Sequence, residues 1–376
     1  MEVAGLILSN IHSASIPELT NIRTIASIPF GCRYRLVDFP LSNMVNSGIT
    51  KIGIVTHNNY RSLMDHIGTG KDWDLARRSG GIKILPPYLT TYDTVNGGKL
   101  YTTRLESLMG VAGFISGCKE DYIVLSDSDG ICNIDLNKVI DKHIEKGADL
   151  TIVTTKVGCT QDVAAGSKVI RSDEDGRIVD LFAYQGNTEV EEISTNIMVA
   201  NKTFLLTAIS EAGAYGYTDF YHDSVARVLD RAKIYRYLYE ETFIQITSLA
   251  SYFRNSMKLL DTDVREDLFG IAQRPIFTKL RNSAPTRYTG DSNVKNSFVA
   301  DGCVIEGTVE NSILFRGVKV GKGTVVKNSI LMQDTLTGDN VTLNCVIADK
   351  NVVIRDDRTL SGHESMPFFI PKGTMV

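Results

Sequence analysis

The sequence predicts an α/β protein with two architectures in series. The first is a Rossmann-like domain with a mixed, mainly parallel sheet, and the second is a left-handed parallel β-helix of hexapeptide-type repeats. Short apolar runs such as Val3 to Leu8 indicate buried parallel strands. Later in the chain a motif recurs four times at intervals of 15, 17 and 16 residues, which suits one β-helix coil per interval. The 376 residues exceed a single core and suggest two domains.

The loop after the first predicted strand, Ser9 to Ser15, contains no glycine. A backbone that wraps phosphate groups points several N–H groups inward, and glycine lets it approach closely and adopt positive φ. Ser9 and Asn10 stand where that approach is needed. Taken alone, the segment favours a polar loop between a strand and a helix.

The next elements follow from local patterns. Asp121 to Leu136 contains a buried strand that ends in carboxylates, and Asp175-Gly176 marks a hairpin-type turn. Ser248 to Asp261 has the apolar spacing of an amphipathic helix, and a linker with Pro275 and Pro285 follows it. We therefore divide the chain into residues 1–247, a helix and linker at 248–292, and coils at 293–376.

The coils are predicted from the repeated motif, with glycines at the turns between short Val- and Ile-rich pieces. Its four copies are Lys295-Asn-Ser-Phe298, Glu310-Asn-Ser-Ile313, Lys327-Asn-Ser-Ile330 and Leu343-Asn-Cys-Val346. Some β-helix domains catalyse acyl transfer with a histidine on the coils. The only histidine after position 222 is His363, beyond the repeats, so acyl transfer is not expected.

The segment from Ile28 to Ile49, IPFGCRYRLVDFPLSNMVNSGI, with Arg23 before it, resembles the start of the bacterial glucose-1-phosphate adenylyltransferases, or ADP-glucose pyrophosphorylases. Thr56 to Arg78 and Gly81 to Tyr88 resemble the same family. The resemblance spans nearly the whole chain. It implies a nucleotidyltransferase (GT-A-like) fold for residues 1–247 and a β-helix that stacks on subunits or braces the first domain.

The chain departs from this family at its phosphate-handling positions. Catalytic members have G-G-x-G-x-R-L in the first loop and then R-A-K-P-A; this chain keeps Arg23 but has Ile25 at the lysine. Tyr184 replaces the lysine of F-V-E-K-P, which contacts the sugar phosphate in catalytic relatives. Gly98 to Arg104 replaces W-x-x-G-T-A-D, and Asn196 replaces the glycine of S-M-G-I-Y.

Three acidic residues are candidate Mg²⁺ ligands. Asp127 and Asp129 would lie at the C-terminal edge of the parallel sheet. In the family motif L-S-G-D-H the acid falls on Ser128, so an acidic turn that caps the next segment is an equal alternative. Asp219 matches the first acid of D-F-G-K-D, a metal ligand in the family, or it caps a helix. We treat all three as metal-site remnants and assign neither a catalytic residue nor a resident cofactor.

Composition points to a folded protein of a reducing compartment. A formal net charge of −4 argues against nucleic acid or anionic membranes as partners. The six cysteines are scattered without a C-x-x-C pair, so neither zinc nor structural disulfides are predicted. Val3 to Leu8 is too short for a signal-peptide core or a membrane span. We expect the cytoplasm.

These departures resemble the non-catalytic or weakly catalytic branch of the family. The resemblance implies a regulatory subunit, inactive or very weak alone, that modulates a catalytic ADP-glucose pyrophosphorylase subunit in glycogen biosynthesis. We expect a hetero-oligomer, specifically a tetramer, with Mg²⁺ brought by the catalytic partner. The reaction of the complex is ATP plus glucose 1-phosphate giving ADP-glucose plus pyrophosphate.

The family also binds anionic sugar-phosphate effectors near basic residues between its two domains. Arg23 and Arg35 match positions of that kind, and Arg355 and Arg358 lie near the end of the coils. Ordinary surface ion pairs at Arg33 and Arg35 are the alternative.

Two other functions stay open. One is an active sugar-1-phosphate nucleotidyltransferase that uses Asp127, Asp129 and Asp219 with an atypical phosphate loop. The other is a scaffold subunit that binds no ligand.

Overall fold

The computed structural model describes residues 2–11, 13–86, 102–158, 166–186 and 190–376. Gly98 to Tyr101, Tyr88 and Cys159, which entered the sequence predictions, lie outside these residues. None of the helices in the described ranges is both long and apolar enough to cross a membrane.

The first domain alternates strands and helices. Its strands are β1 Val3–Leu8, β2 Pro29–Phe30, β3 Tyr34–Arg35, β4 Lys51–Val55, β5 Gly81–Leu85, β6 Tyr122–Asp127, β7 Gly130–Ile131, β8 Leu150–Val157, β9 Lys168–Ser172, β10 Ile178–Ala183, β11 Glu191–Asn201, β12 Ile234–Leu238 and β13 Ile244–Gln245. The α-helices of the whole described chain are α1 Pro17–Thr20, α2 Asp38–Asn46, α3 Arg61–Ile67, α4 Arg104–Gly110, α5 Ala112–Ser116, α6 Leu136–Glu145, α7 Lys202–Tyr215, α8 Leu249–Met257 and α9 Thr262–Phe269. Short 3₁₀ turns and one π-helical segment, Phe220–Val225, join them.

A mixed nine-stranded sheet organises this domain. Its centre is parallel in the order β5-β4-β1-β6, and β11 runs antiparallel between β6 and β8. The apolar run Val3–Leu8 is the central strand β1, as predicted. Leu8 pairs with both Val55 and Asp127, so the carboxyl ends of three parallel strands meet at one edge. Ligands of open α/β sheets bind at such edges.

The hairpin and the helix confirm two further predictions. Gly176, with φ of 80°, closes the turn between β9 and β10. The helix α8 begins at its N-cap Ser248, whose side chain accepts a hydrogen bond from the Ser251 N–H. Helix α9 follows it and was not predicted.

The β-helix has three five-stranded parallel sheets, one for each face of the prism. Its strands are β14 Arg287–Tyr288, β15 Asn293–Lys295, β16 Phe298–Val299, β17 Val304–Ile305, β18 Thr308–Glu310, β19 Ile313–Leu314, β20 Lys319–Val320, β21 Val325–Lys327, β22 Ile330–Leu331, β23 Leu336–Thr337, β24 Thr342–Asn344, β25 Val346–Ala348, β26 Val353–Ile354, β27 Thr359–Ser361 and β28 Phe368–Ile370. Since β14 already pairs with β17, the coils include residues that the sequence analysis placed in the linker.

The repeated asparagines turn the corners of the coils. Asn296, Asn311 and Asn328 have φ between 41° and 46°, a left-handed conformation that asparagine tolerates better than most residues. The alignment of the fourth copy is wrong by one residue. Lys327 pairs with Asn344, and Cys345 takes the left-handed corner at φ 51°. The structural interval from the third copy to the fourth is therefore 17 residues, from Lys327 to its strand partner Asn344.

One of the hydrophobic clusters contains residues of both domains. Phe30 of the first domain, Tyr252 and Phe253 of α8, and Ile313 and Ile330 of the coils belong to the same buried cluster. The Tyr252 hydroxyl donates to the Pro29 carbonyl oxygen at 2.7 Å. Helix α8 therefore fastens the β-helix against the loops that follow β1.

Candidate functional site

A cleft of about 200 Å³ opens at the carboxyl edge of the sheet, where a substrate site is expected in this architecture. We call it the sheet-edge cleft. Its lining residues are Ile11, Thr103, Arg104, Gly166, Ser167, Lys168, Asn196, Asp219, Phe220, Tyr221 and Gln245. Of the three predicted metal-site acids, only Asp219 is among them.

Asp127 ends β6 beneath this cleft and is paired with a buried arginine. Arg104 Nη2 lies 2.5 Å from Asp127 Oδ2, and the two side chains are 7% and 2% exposed. Burial opposes the charge on Arg104, but Asp127 and Tyr221 outweigh it, so the pKa of Arg104 is raised above its usual range. The pair is a fixed, charged contact at the sheet edge.

Tyr221 forms the floor between two cations. Its ring centroid is 5.2 Å from the Arg104 guanidinium carbon and 6.0 Å from Lys168 Nζ. Its hydroxyl contacts Ser194 Oγ at 2.6 Å and donates to Asn196 Oδ1 at 2.9 Å. Burial raises the pKa of Tyr221, so the phenol stays neutral. Tyr221 lies in the π-helical segment, an irregularity that often occurs at functional sites.

Asn196, which stands at the family's glycine position, has a left-handed backbone conformation. Its φ is 62°, in the left-handed region. Asparagine adopts this conformation at less cost than other side chains. Asn196 thus occupies the irregularity of β11 between Ser194 and Met198, and its side-chain oxygen accepts a hydrogen bond from Tyr221.

Asp219 caps the π-helical segment and also meets a cation. Its Oδ1 accepts the His222 N–H at 2.8 Å, and its Oδ2 lies 3.4 Å from Lys168 Nζ. Asp129 is buried and its carboxylate accepts the Gln245 amide at 3.1 Å. Ser128, at the family's acid position, donates to the Leu8 carbonyl oxygen at 3.1 Å.

These residues do not fit a Mg²⁺ ion. A divalent cation of this size needs carboxylate oxygens at about 2.0–2.1 Å in octahedral geometry. The Arg104 guanidinium lies against Asp127, and the Lys168 ammonium lies near Asp219. Among the described residues there is also no group of three His, Cys, Asp or Glu side chains placed to hold a metal.

The glycine-free loop is tied down by side chains. Asn10 Oδ1 accepts the Thr56 hydroxyl at 3.0 Å and the Ser9 hydroxyl at 2.7 Å, and its amide donates to the Asn58 carbonyl oxygen. Asn10 and Arg23 line a second cavity of about 370 Å³ beside the cleft. The loop thus bridges the ends of β1 and β4 with side chains where glycine would leave backbone exposed.

Ile25 and Tyr184 pack in or against hydrophobic clusters of the first domain and its boundary. Ile25 is 1% exposed and packs in the cluster that contains residues of both domains, and it does not line the sheet-edge cleft. Tyr184 follows β10, donates its backbone N–H to the Ser167 carbonyl oxygen and packs against the small cluster of Val157, Val169 and Ile193.

A third cavity lies between the first domain and the coils, and its lining is cationic. We call it the boundary cavity. It has six Lys and Arg side chains and no Asp or Glu in its lining: Arg33, Arg35, Lys279, Arg281, Arg316 and Lys350. Its free volume is about 30 Å³ in this conformation.

The charges at this boundary cavity repel one another. Burial, together with Arg35 and Arg23 and against the opposing effect of Asp349, lowers the pKa of Lys350 to about 7. Burial also lowers the pKa of Arg35 to about 10. A cluster of this kind is relieved when an anion enters, because an opposite charge favours the protonated forms.

The effector candidates separate into three groups. Arg35 lines the boundary cavity and donates to Ser62, and no ion pair of Arg33 or Arg35 is found within the described ranges. Arg23 is instead buried in an ion pair with Asp349, 2.5 Å long, between the two domains. Arg355 and Arg358 are exposed and lie outside the lining.

Comparison with known proteins agrees with this architecture. A nucleotidyl transferase family model matches residues 16–183, and a model of the GlmU-like C-terminal hexapeptide matches residues 284–365. Glycogen biosynthesis protein GlgD of Bacillus subtilis (strain 168) is 34% identical over 99% of this chain and 96% of its own length. GlgD of Geobacillus stearothermophilus is 36% identical over 100% and 97%. The chain belongs to the GlgD and glucose-1-phosphate adenylyltransferase family.

Family members that are named as enzymes are also similar to this chain. The glucose-1-phosphate adenylyltransferase of Geobacillus stearothermophilus is 31% identical over 86% of this chain and 82% of its own length. The resemblance and the fold predicted from the motifs are thus confirmed.

Sequence reasoning missed several residues of the sheet-edge cleft and of the boundary cavity. Arg104, Lys168 and Tyr221 at the sheet-edge cleft were not assigned a role, and neither was Lys350 at the boundary cavity. The one usable signal was the arginine that ends the segment replacing W-x-x-G-T-A-D. That arginine is Arg104, whose carboxylate partner is Asp127.

Proposed function

We propose that this chain is a regulatory subunit of ADP-glucose pyrophosphorylase in glycogen biosynthesis, with a degenerate active site of its own. The observation that carries the proposal is the buried pair of Arg104 and Asp127. The pair fixes a positively charged side chain at the sheet edge, where the family reaction uses a metal ion and cationic side chains. Losing one such transition-state contact costs on the order of 10² to 10³ in rate.

The partner follows from the same reasoning. A chain that keeps the fold but not the chemistry acts through another subunit, which would supply Mg²⁺ and turnover. Geobacillus stearothermophilus has both a GlgD and a glucose-1-phosphate adenylyltransferase, so chains of both kinds occur in one organism. We expect a cytoplasmic hetero-oligomer, specifically a tetramer, of this chain with a catalytic subunit.

The regulatory part of the proposal rests on the boundary cavity. Six Lys and Arg side chains without an acid in the lining, of which Arg316 pairs with Asp301 outside it, favour an anionic effector such as a sugar phosphate. An effector shifts a partner only if it binds two states of the complex differently. This cavity meets that condition in principle, because residues of both domains form it and a domain shift would change its charge spacing.

Pyrophosphate release from ATP and glucose 1-phosphate tests the proposal. The comparison uses this chain alone, a catalytic subunit alone and the two co-expressed, each with and without a sugar bisphosphate. We expect no or very weak activity from this chain alone, and a raised rate or altered effector response from the pair. Robust turnover by this chain alone would favour an active nucleotidyltransferase, and an unchanged partner would favour a scaffold.

Arg35→Ala tests the effector site within this assay. It should weaken the effector response of the co-expressed pair while the oligomer, measured by light scattering, stays intact. Arg287→Ala is the matched control, since Arg287 is an exposed arginine outside the cavity and is not an effector candidate. Equal responses from both variants would remove the boundary cavity as the effector site.

A further inference from the structure

The carboxyl end of β6 holds two carboxylates that cannot reach bulk water. Asp127 and Asp129 are 3% and 2% exposed. A buried carboxylate remains charged only when a cation or several donors compensate for its lost hydration. The Arg104 guanidinium, 2.5 Å from Asp127, supplies that positive charge. Asp129 also acts on it, since its field contributes to the raised pKa of Arg104.

The position of Arg104 is fixed by its helix. Arg104 is the first residue of α4, and a capping box holds the turn before it. Thr103 Oγ1 accepts the Glu106 N–H at 3.2 Å, while Glu106 Oε2 accepts the Thr103 N–H at 3.1 Å. Such a cap stabilises the start of a helix. The guanidinium is therefore aimed at β6 by the backbone and not only by its own charge.

Its surroundings fix the guanidinium from the other side. The Tyr221 ring lies 5.2 Å below it, and Ser194 and Asn196 hold the Tyr221 hydroxyl. The Arg104 Nε–H is buried and has no hydrogen-bond acceptor among the described residues. An arginine that served only packing would not need this tight contact with Asp127. The Arg104 guanidinium thus takes the position beside Asp127 that a bound cation would occupy.

We propose that Arg104 is a built-in cation that takes the place of a divalent metal at Asp127, and that a neutral side chain at position 104 would open a divalent-cation site there. The proposal deepens the proposed function by naming the group that keeps metal away from this chain. Its logic is charge balance: Arg104 supplies positive charge to the buried carboxylates of Asp127 and Asp129, and a neutral side chain at position 104 takes that charge away. Hard divalent cations prefer carboxylate oxygen as a ligand.

Manganese binding by the purified full-length chain tests this directly, because free Mn²⁺ gives a paramagnetic resonance signal that bound Mn²⁺ loses. Arg104→Met should bind about one Mn²⁺ with a dissociation constant of about 1 mM or tighter, the weak end of carboxylate sites. The unaltered chain should bind none at these concentrations. Arg104→Met combined with Asp127→Asn should bind none either, since the ligand is gone. Arg77→Met, which breaks the exposed Arg77–Asp74 pair, is the matched control.

Thermal unfolding gives a second readout. Arg104→Met should unfold at a lower temperature than the unaltered chain, because Asp127 loses the charge of Arg104, and Mn²⁺ at about ten times the dissociation constant should raise its midpoint by about 2 °C. If Arg104→Met does not fold alone, recovery of its native circular dichroism on refolding with Mn²⁺ supports the proposal. Lack of recovery overturns it.

Two other results also overturn the proposal: Asp127-dependent Mn²⁺ binding by the unaltered chain, and a folded Arg104→Met that binds no Mn²⁺. Neither bears on the partner assay. A chain that raises its partner's rate but binds Mn²⁺ through Asp127 would refute this inference and keep the proposed function. A chain without effect on a partner, in which Arg104→Met gains Mn²⁺, would do the reverse.

Discussion

Anion binding in the boundary cavity should carry a proton with it, and Lys350 is the group that takes it up. In the free protein burial, Arg35 and Arg23 hold the pKa of Lys350 at about 7. A bound sulfate ion would offset the repulsion and return that pKa toward the usual lysine value of about 10.4. Linkage then gives an uptake that approaches one proton per sulfate at pH values well above 7 and below the raised pKa, and almost none well below pH 7.

The sign of the pH effect follows from these two states. Below pH 7 Lys350 is charged with or without the anion, so affinity changes little with pH. Between pH 7 and the pKa of the complex, the free protein has lost the proton and the complex has kept it. Sulfate affinity should therefore fall as pH rises, approaching tenfold per unit above pH 8. Sulfate itself does not titrate in this range.

Isothermal titration calorimetry in buffers of different ionisation enthalpy measures the proton uptake. Lys350→Met should abolish the uptake at pH 8.5 and flatten the affinity profile. Lys319→Met, an exposed lysine of the same β-helix outside the cavity, should leave both unchanged. The other titratable groups of the lining fall outside the window, because burial lowers the pKa of His66 and raises those of Cys32 and Tyr34. Uptake that persists in Lys350→Met, or none in the unaltered chain, would refute the reasoning.

Two stability predictions follow from buried contacts. Arg23→Met should lower the free energy of unfolding by about 3–5 kcal/mol, because it strands the buried Asp349 carboxylate between the two domains. Adding Asp349→Leu should recover most of that loss in urea unfolding; no recovery would mean that Arg23 stabilises by packing. Gly321→Ala places a Cβ 2.1 Å from the Gly338 carbonyl oxygen of the next coil. It should therefore lower the free energy of unfolding by about 1–3 kcal/mol. Gly290→Ala, with no atom within 4 Å, is its control, and equal urea midpoints for the two would contradict the close-packing argument.

Local pattern was enough for the architecture. The apolar run Val3–Leu8 became the central strand because a strand buried on both faces must be apolar throughout. The asparagine repeat predicted the coils because each coil needs the same corner, and three of its asparagines have the left-handed φ that the corner requires. The fourth copy slipped by one residue because backbone pairing, which letters do not reveal, decides the register.

The site was predictable only in part. Resemblance located the sheet-edge acids and the basic residues at the domain boundary. It could not show which acids carry partners, because a partner is set by distance in space. Arg104 is 23 residues from Asp127, and Arg23 is 326 residues from Asp349. Both pairs exist because the fold removes the water that would otherwise solvate these charges.

The sequence by itself thus determined the two architectures, their order and the loss of the glycine loop, since all of these depend on neighbours along the chain. The tertiary structure decided that a buried arginine lies against Asp127 and that six cations from both domains enclose one cavity. Electrostatic energy depends on distance and burial, and both are properties of the folded chain.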